Sequence, residues 1–135
     1  KYKVQKLNLD NFITFVGQKE DVIPYLKSAT VFVYPSIVQE VFGISLVEAM
    51  AFGLVCVANR VGGIPEIIEN GVNGFFTDEI SVQGLIDTLS KVFEIIGTEK
   101  QIFIANNAKK TANDFSIDKT IIKLEEIYKK LMNNS

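Results

Sequence analysis

The sequence predicts an α/β fold, a parallel sheet with helices on both faces. Short runs of β-branched and aromatic residues (NFITFVG, TVFVYP, LVCVAN) are apolar at nearly every position rather than alternating, as in strands buried on both sides. Helix-patterned segments separate these runs, which defines βαβ units and right-handed crossovers.

The elements follow in order. Residues 1–10 read as the end of a helix. Residues 11–17 form a strand candidate closed by Gly17, and residues 21–28 a short helix that tolerates Pro24 only in its first turn. Residues 30–35 are the second strand. Residues 43–52 carry Ile44, Leu46, Val47, Met50 and Ala51 on a helical face closed by Gly53. Residues 54–59 are the third strand. Gly62-Gly63-Ile64-Pro65-Glu66 reads as a tight turn and a Pro-initiated helix ended by Asn70-Gly71; shaping one side of a ligand pocket is the alternative. Residues 74–77 make a fourth, shorter strand. Helices then run over about residues 81–96, 99–114 and 116–132, the last with Ile117, Ile121, Leu124, Ile127 or Tyr128, and Leu131 on one face, before a frayed tail at 133–135.

Composition narrows the function. A chain of 135 residues, 47% hydrophobic, suits one domain that needs no metal or disulfide for its core. Fourteen basic against 16 acidic residues give a net charge of −2, without the basic footprint of a nucleic-acid binder. With no His, His-based triads and most transition-metal sites are excluded within these residues. Cys56 lies in an apolar strand with no activating neighbour and reads as a core residue in a reducing compartment. No apolar run reaches the roughly 18 residues that span a bilayer; the longest, residues 41–58, is broken by Gly43, Ser45, Glu48 and Gly53.

In parallel sheets, ligands bind beyond the carboxyl ends of the strands. The densest chemistry there is PSIVQEVFGISLVE, residues 35–48. A helix start offers unpaired N–H groups from about Gly43, Ile44 and Ser45 and a positive dipole end, which favours an anion such as phosphate. Gly43 has no Cβ to hinder backbone approach. Glu40 and Glu48 accept hydrogen bonds only and suit hydroxyl donors such as a ribose diol or sugar hydroxyls. A nucleotide-sugar matches all three parts. The alternative is that Ser36 or Glu40 merely caps the helix and Glu48 is a solvated acid. The apolar neighbours Val47 and Ala49 argue that Glu48 is buried and needs a hydrogen-bonding role.

Glu40 and Glu48 stand in the Glu-x7-Glu spacing of the retaining glycosyltransferases called family 4, or group 1. The chain resembles them in order through NFITFVG, TVFVYPS, EVFGISLVEAMAFG, LVCVAN, GGIPEII, NGVNGFF and the closing helix from Phe115 to Tyr128. This resemblance implies the Rossmann-like, donor-binding C-terminal domain of a two-domain GT-B enzyme. By the same resemblance, Glu48 holds the ribose hydroxyls and Glu40 is the catalytically important acid near the transferred sugar. Phe42, Gly43 and Ile44 present backbone groups to sugar and diphosphate, and Gly17 and Gln18 lie near the nucleobase. No metal or other cofactor is implied; the donor is a UDP- or GDP-sugar or similar.

The sequence also departs from the family. The Arg and Lys that usually neutralise the diphosphate follow a strand not found here, and neither Lys19 nor Arg60 matches them. Val55 replaces a common Pro. The expectation is a partial domain, residues 1–135, lacking its first two strands and its N-terminal acceptor domain. In the Rossmann order those two strands lie between the third and fourth, so residues 11–17 must either pair abnormally or stay exposed; rearranged pairing or self-association through an exposed edge is expected. The implied function is hexose transfer with retention, in polysaccharide or glycolipid synthesis, by an enzyme of which the isolated chain is an inactive, weakly binding part. A nucleotide-sugar epimerase and a non-catalytic nucleotide-binding or assembly module are the alternatives. A cytoplasmic location is expected. Lys119, Lys123, Lys129 and Lys130 read as a solvated helix face, with peripheral membrane contact as the other reading.

Overall fold

A computed structural model describes residues 1–133 and shows the α/β architecture; the tail expected to fray lies outside these residues beyond Asn133. Three parallel strands, β1 (Val31–Tyr34), β2 (Val55–Ala58) and β3 (Phe75–Phe76), lie side by side in that order. Val31 stands opposite Val55 and Tyr34 opposite Ala58, while Val57 and Ala58 face Phe75 and Phe76. β2 is buried throughout, as a central strand must be, and β1 is half-buried.

Both crossovers run the same way across the sheet, so equal handedness puts both on one face. These are α3 (Ile44–Ala51) and a 3-10 turn (Ile64–Glu66) with Ile67 and Ile68. Leu46 and Met50 pack there with Cys56, Ala58 and Ile64, and α5 (Glu99–Asp114) adds Ala108 and Ala112. The opposite face takes α4 (Val82–Ile95), where Val92, Leu85 and Leu89 meet Val55 and Val57. Successive β2 residues therefore enter different cores, which explains why LVCVA is apolar at every position.

Helix ends follow local chemistry. In α2 (Ile23–Ser28), Pro24 sits in the first turn and the Ile23 N–H donates to Asp21 Oδ1 at 2.9 Å. Ser81 caps α4 by accepting from the Gly84 N–H at 2.9 Å. Gly53, at φ +75°, turns the chain out of α3.

Two expectations are corrected. Residues 11–17 form no strand. After α1 (Tyr2–Lys6), the Phe12 and Ile13 N–H groups turn back to the Leu9 carbonyl, and Gly17 at φ +68° turns the chain again. An apolar run becomes a strand only when its backbone finds a partner, and none lies beside this one. Of the two outcomes foreseen, exposure prevails over rearranged pairing: Phe12 is 82% and Phe15 52% exposed. Among the described residues, the outer edge of β1 is unpaired. The fourth expected strand shrinks to Phe75–Phe76, and Asn70 Oδ1 takes the Phe76 N–H at 2.8 Å on its outer side.

The last helix, α6 (Ile117–Asn133), has the expected apolar face, yet none of its side chains is buried. Among the described residues no helix is long and apolar enough to cross a membrane.

Candidate functional site

The chain leaves the carboxyl end of β1 at Pro35 and enters α3 at Gly43. Gly43 is buried in the left-handed region, φ +79° and ψ 55°. A β-carbon there would be strained and would lie 2.6 Å from Ile64 Cδ1. No side chain caps α3. The Gly43 carbonyl accepts from Leu46 at 3.0 Å and Val47 at 3.3 Å, whereas the N–H groups of Gly43, Ile44 and Ser45 have no acceptor among the described residues. Three free donors at the positive end of a helix form a cradle for an anion.

The two carboxylates flank this cradle differently. Glu40 is half-buried, its carbonyl held by the Gly63 N–H at 2.7 Å. Tyr34, at the end of β1, faces it. Burial first, then a hydrogen bond to the Glu40 carboxylate and the repulsion of its charge, raise the Tyr34 phenol above its ordinary value. Glu48 sits on α3 one turn beyond Ile44. Its predicted burial is wrong: Glu48 is exposed, because α3 turns Leu46, Ala49 and Met50 inward and leaves Glu48 on the opposite stripe. Its carboxylate is open to a ligand.

Phe42 and Ile44 are both exposed, and the Phe42 ring packs edge-on against Phe115 with centroids 5.1 Å apart. Five of the seven predicted site residues, Glu40, Phe42, Gly43, Ile44 and Glu48, thus meet at one end of β1. Gly17 and Gln18 are exposed in the loop before α2. Gly17 lines a different groove of about 300 Å³, with Lys19, Val22, Tyr25, Leu26, Phe32 and Leu54, which no residue of the 36–48 segment enters. Arg60 lies over the Phe76 ring at 4.5 Å. Among the described residues, no three acidic or thiol side chains gather as metal ligands.

Sequence reasoning missed the residues that hold the loop. Buried Asn59 donates from Nδ2 to the Ser36 carbonyl at 2.9 Å and accepts at Oδ1 from Thr77 Oγ1 at 2.6 Å, tying the ends of all three strands together. The signal was a polar side chain closing an otherwise apolar run. Beside it opens a second cavity of about 290 Å³, lined by Pro35, Ile37, Asn59 and the start of α4.

Free N–H groups at a helix start, flanked by two carboxylates at the carboxyl edge of a parallel sheet, stand where open α/β sheets take anionic ligands. The family "Glycosyl transferases group 1" matches residues 1–111, and the chain belongs to it. It is 28% identical over 129 residues to the UDP-Gal:alpha-D-GlcNAc-diphosphoundecaprenol alpha-1,3-galactosyltransferase of Escherichia coli, covering 95% of this chain and 33% of that one. The crystal structure of a glycosyltransferase from Rickettsia africae ESF-5 superposes with a TM-score of 0.88 at 30% identity, covering 98% of this chain and 35% of the other. Anabaena Alr3699/HepE in complex with UDP gives 0.86 at 29% identity, covering 96% and 35%. The chain spans 22% to 36% of the length of three curated relatives, the E. coli enzyme among them.

Proposed function

We propose that this chain is the nucleotide-sugar-binding part of a two-domain, GT-B, family 4 glycosyltransferase that moves a hexose from a nucleoside diphosphate sugar with retention of configuration. The observation that carries the reading is the free N–H cradle at Gly43, Ile44 and Ser45, with Glu40 before it and Glu48 one turn inside it. The binding of UDP by the HepE protein supports the donor class, and the family match favours the transferase over the epimerase and the non-catalytic module.

The chemistry is electrostatic. As the sugar–phosphate bond breaks, negative charge grows on the diphosphate, and preorganised N–H donors with the α3 dipole stabilise it without reorganising. Glu48 accepts from the ribose hydroxyls and Glu40 from those of the transferred sugar, fixing the donor for attack. Gly17 and Gln18 approach the base when the remaining strands are in place. Neither Lys19 nor Arg60 supplies the usual counter-charge; a basic pair elsewhere in the full-length protein does. The unpaired edge of β1 and exposed Phe12 and Phe15 support two further strands there. We assign the acceptor to the other domain, and the enzyme to polysaccharide or glycolipid synthesis in the cytoplasm. Peripheral membrane contact fits the uncovered apolar face of α6 beside Lys129 and Lys130.

Titration of the full-length protein with UDP- and GDP-sugars, followed by backbone NMR shifts, tests the reading. Saturable shifts at residues 43–48 that are lost in Glu48→Ala are expected. No response to any nucleotide would sink it.

A further inference from the structure

Glu40 sits in a segment without regular structure, which by itself would sample many conformations. Something must hold its carboxylate in place. The turn after β2 lies directly on its backbone: the Gly63 N–H donates to the Glu40 carbonyl at 2.7 Å. A β-carbon on Gly62 would collide with the Glu40 carbonyl oxygen, and one on Gly63 with the Val41 carbonyl oxygen, both closer than real Cβ atoms come to any atom.

The two glycines are there for different reasons. Gly62 has φ +53°, a conformation that favours glycine whatever surrounds it. Gly63 has φ −80° and ψ −5°, a conformation that most residues adopt in type I turns. Its backbone does not need glycine. Only the approach of the Val41 carbonyl does.

We infer that Gly63 is a positioning residue for the donor site: its N–H holds the Glu40 carbonyl and its bare α-carbon admits the Val41 carbonyl, and together, as a clamp, they set the Glu40 carboxylate relative to the α3 cradle. The inference rests on the proposed donor role of Glu40. The close contacts of Gly63 are with Glu40 and Val41, before the start of α3, so its effect on the reacting sugar is expected to exceed that on the nucleotide.

Gly63→Ala in the full-length protein separates these roles, because it adds one methyl group without backbone strain. Relieving the clash moves the Glu40 segment by about 1 Å, a displacement that can cost roughly 100-fold in rate. Turnover of the donor sugar per folded molecule is expected to fall about that much, while UDP affinity stays within about threefold. Loss of stability alone would lower the folded fraction and leave kcat per folded molecule intact, so an unchanged kcat overturns the inference. Amide exchange in the wild type gives an independent reading should the variant not fold. Gly63 is expected to exchange slowly although it lies in a turn, and exchange as fast as a free loop overturns the clamp. Wild type that binds no nucleotide refutes the functional reading instead, and the exchange experiment still decides whether the clamp exists.

Discussion

Replacing Asn59 by Ala removes the side chain that joins the carboxyl ends of the strands, and the structure sets the size of the effect. Asn59 is 5% exposed, and both its polar atoms are used, Nδ2 on the Ser36 carbonyl at 2.9 Å and Oδ1 on Thr77 Oγ1 at 2.6 Å. Truncation leaves two partners that differ in access to water. Thr77 is 7% exposed, so its hydroxyl loses its acceptor in a dry place, at about 1–3 kcal/mol. The Ser36 residue is half-buried, so water replaces much of what its carbonyl loses, and about 0.5–1.5 kcal/mol is at stake. Together the loss is about 1.5–4.5 kcal/mol. Urea unfolding followed by circular dichroism measures it as a lower midpoint at unchanged m-value. Thr77→Val leaves Oδ1 unpaired and costs about 1–3 kcal/mol by the same logic. The double variant removes both partners, so its cost is expected to fall short of the sum by about 1–2 kcal/mol. A loss below about 0.5 kcal/mol in Asn59→Ala would refute the view that this buried pair ties the strand ends together.

Two further variants probe the scaffold. Ser81→Ala deletes the cap of α4 and is expected to cost about 1 kcal/mol, whereas Ser81→Thr, whose hydroxyl still accepts from the Gly84 N–H and donates to Glu79, should hold stability near wild type in the same melts. Burial pushes the Cys56 thiol from 9.0 up to about 12, so it should resist disulfide reagents at pH 8 until the chain unfolds. Between pH 9 and about 12 the unfolded thiol ionises while the native one keeps its proton. The native state then binds more protons, and the contribution present below pH 9 is lost as pH rises. Alkaline melts compared with Cys56→Ala measure that slope; an equal slope in both would exclude Cys56 as its source.

Much of the fold and site was legible because it is local. Glycine at position 43 and again at 53 brackets an amphipathic stretch, and α3 forms between them. An apolar run between turn residues gives β2, and Pro24 marks the first turn of α2. The Gly43 signal was enough to locate the helix start whose N–H groups have no acceptor among the described residues. Errors arose where an element depends on a partner distant in sequence. NFITFVG has the composition of a strand, but no neighbour stands beside it. Glu48 sits among apolar residues in the sequence, yet helical geometry turns it to solvent while Ala49 goes inside.

Side-chain periodicity and backbone sterics act over a few residues. They were sufficient for the alternation of strands and helices and the start of α3. Packing across the chain decided the rest: that Asn59 bridges three strand ends, that Gly63 rests on Glu40, that Phe42 meets Phe115, and that β1 keeps an open edge. Those contacts join residues from 18 to more than 70 positions apart. No local propensity encodes such meetings, because each exists only once the intervening chain has folded around the core.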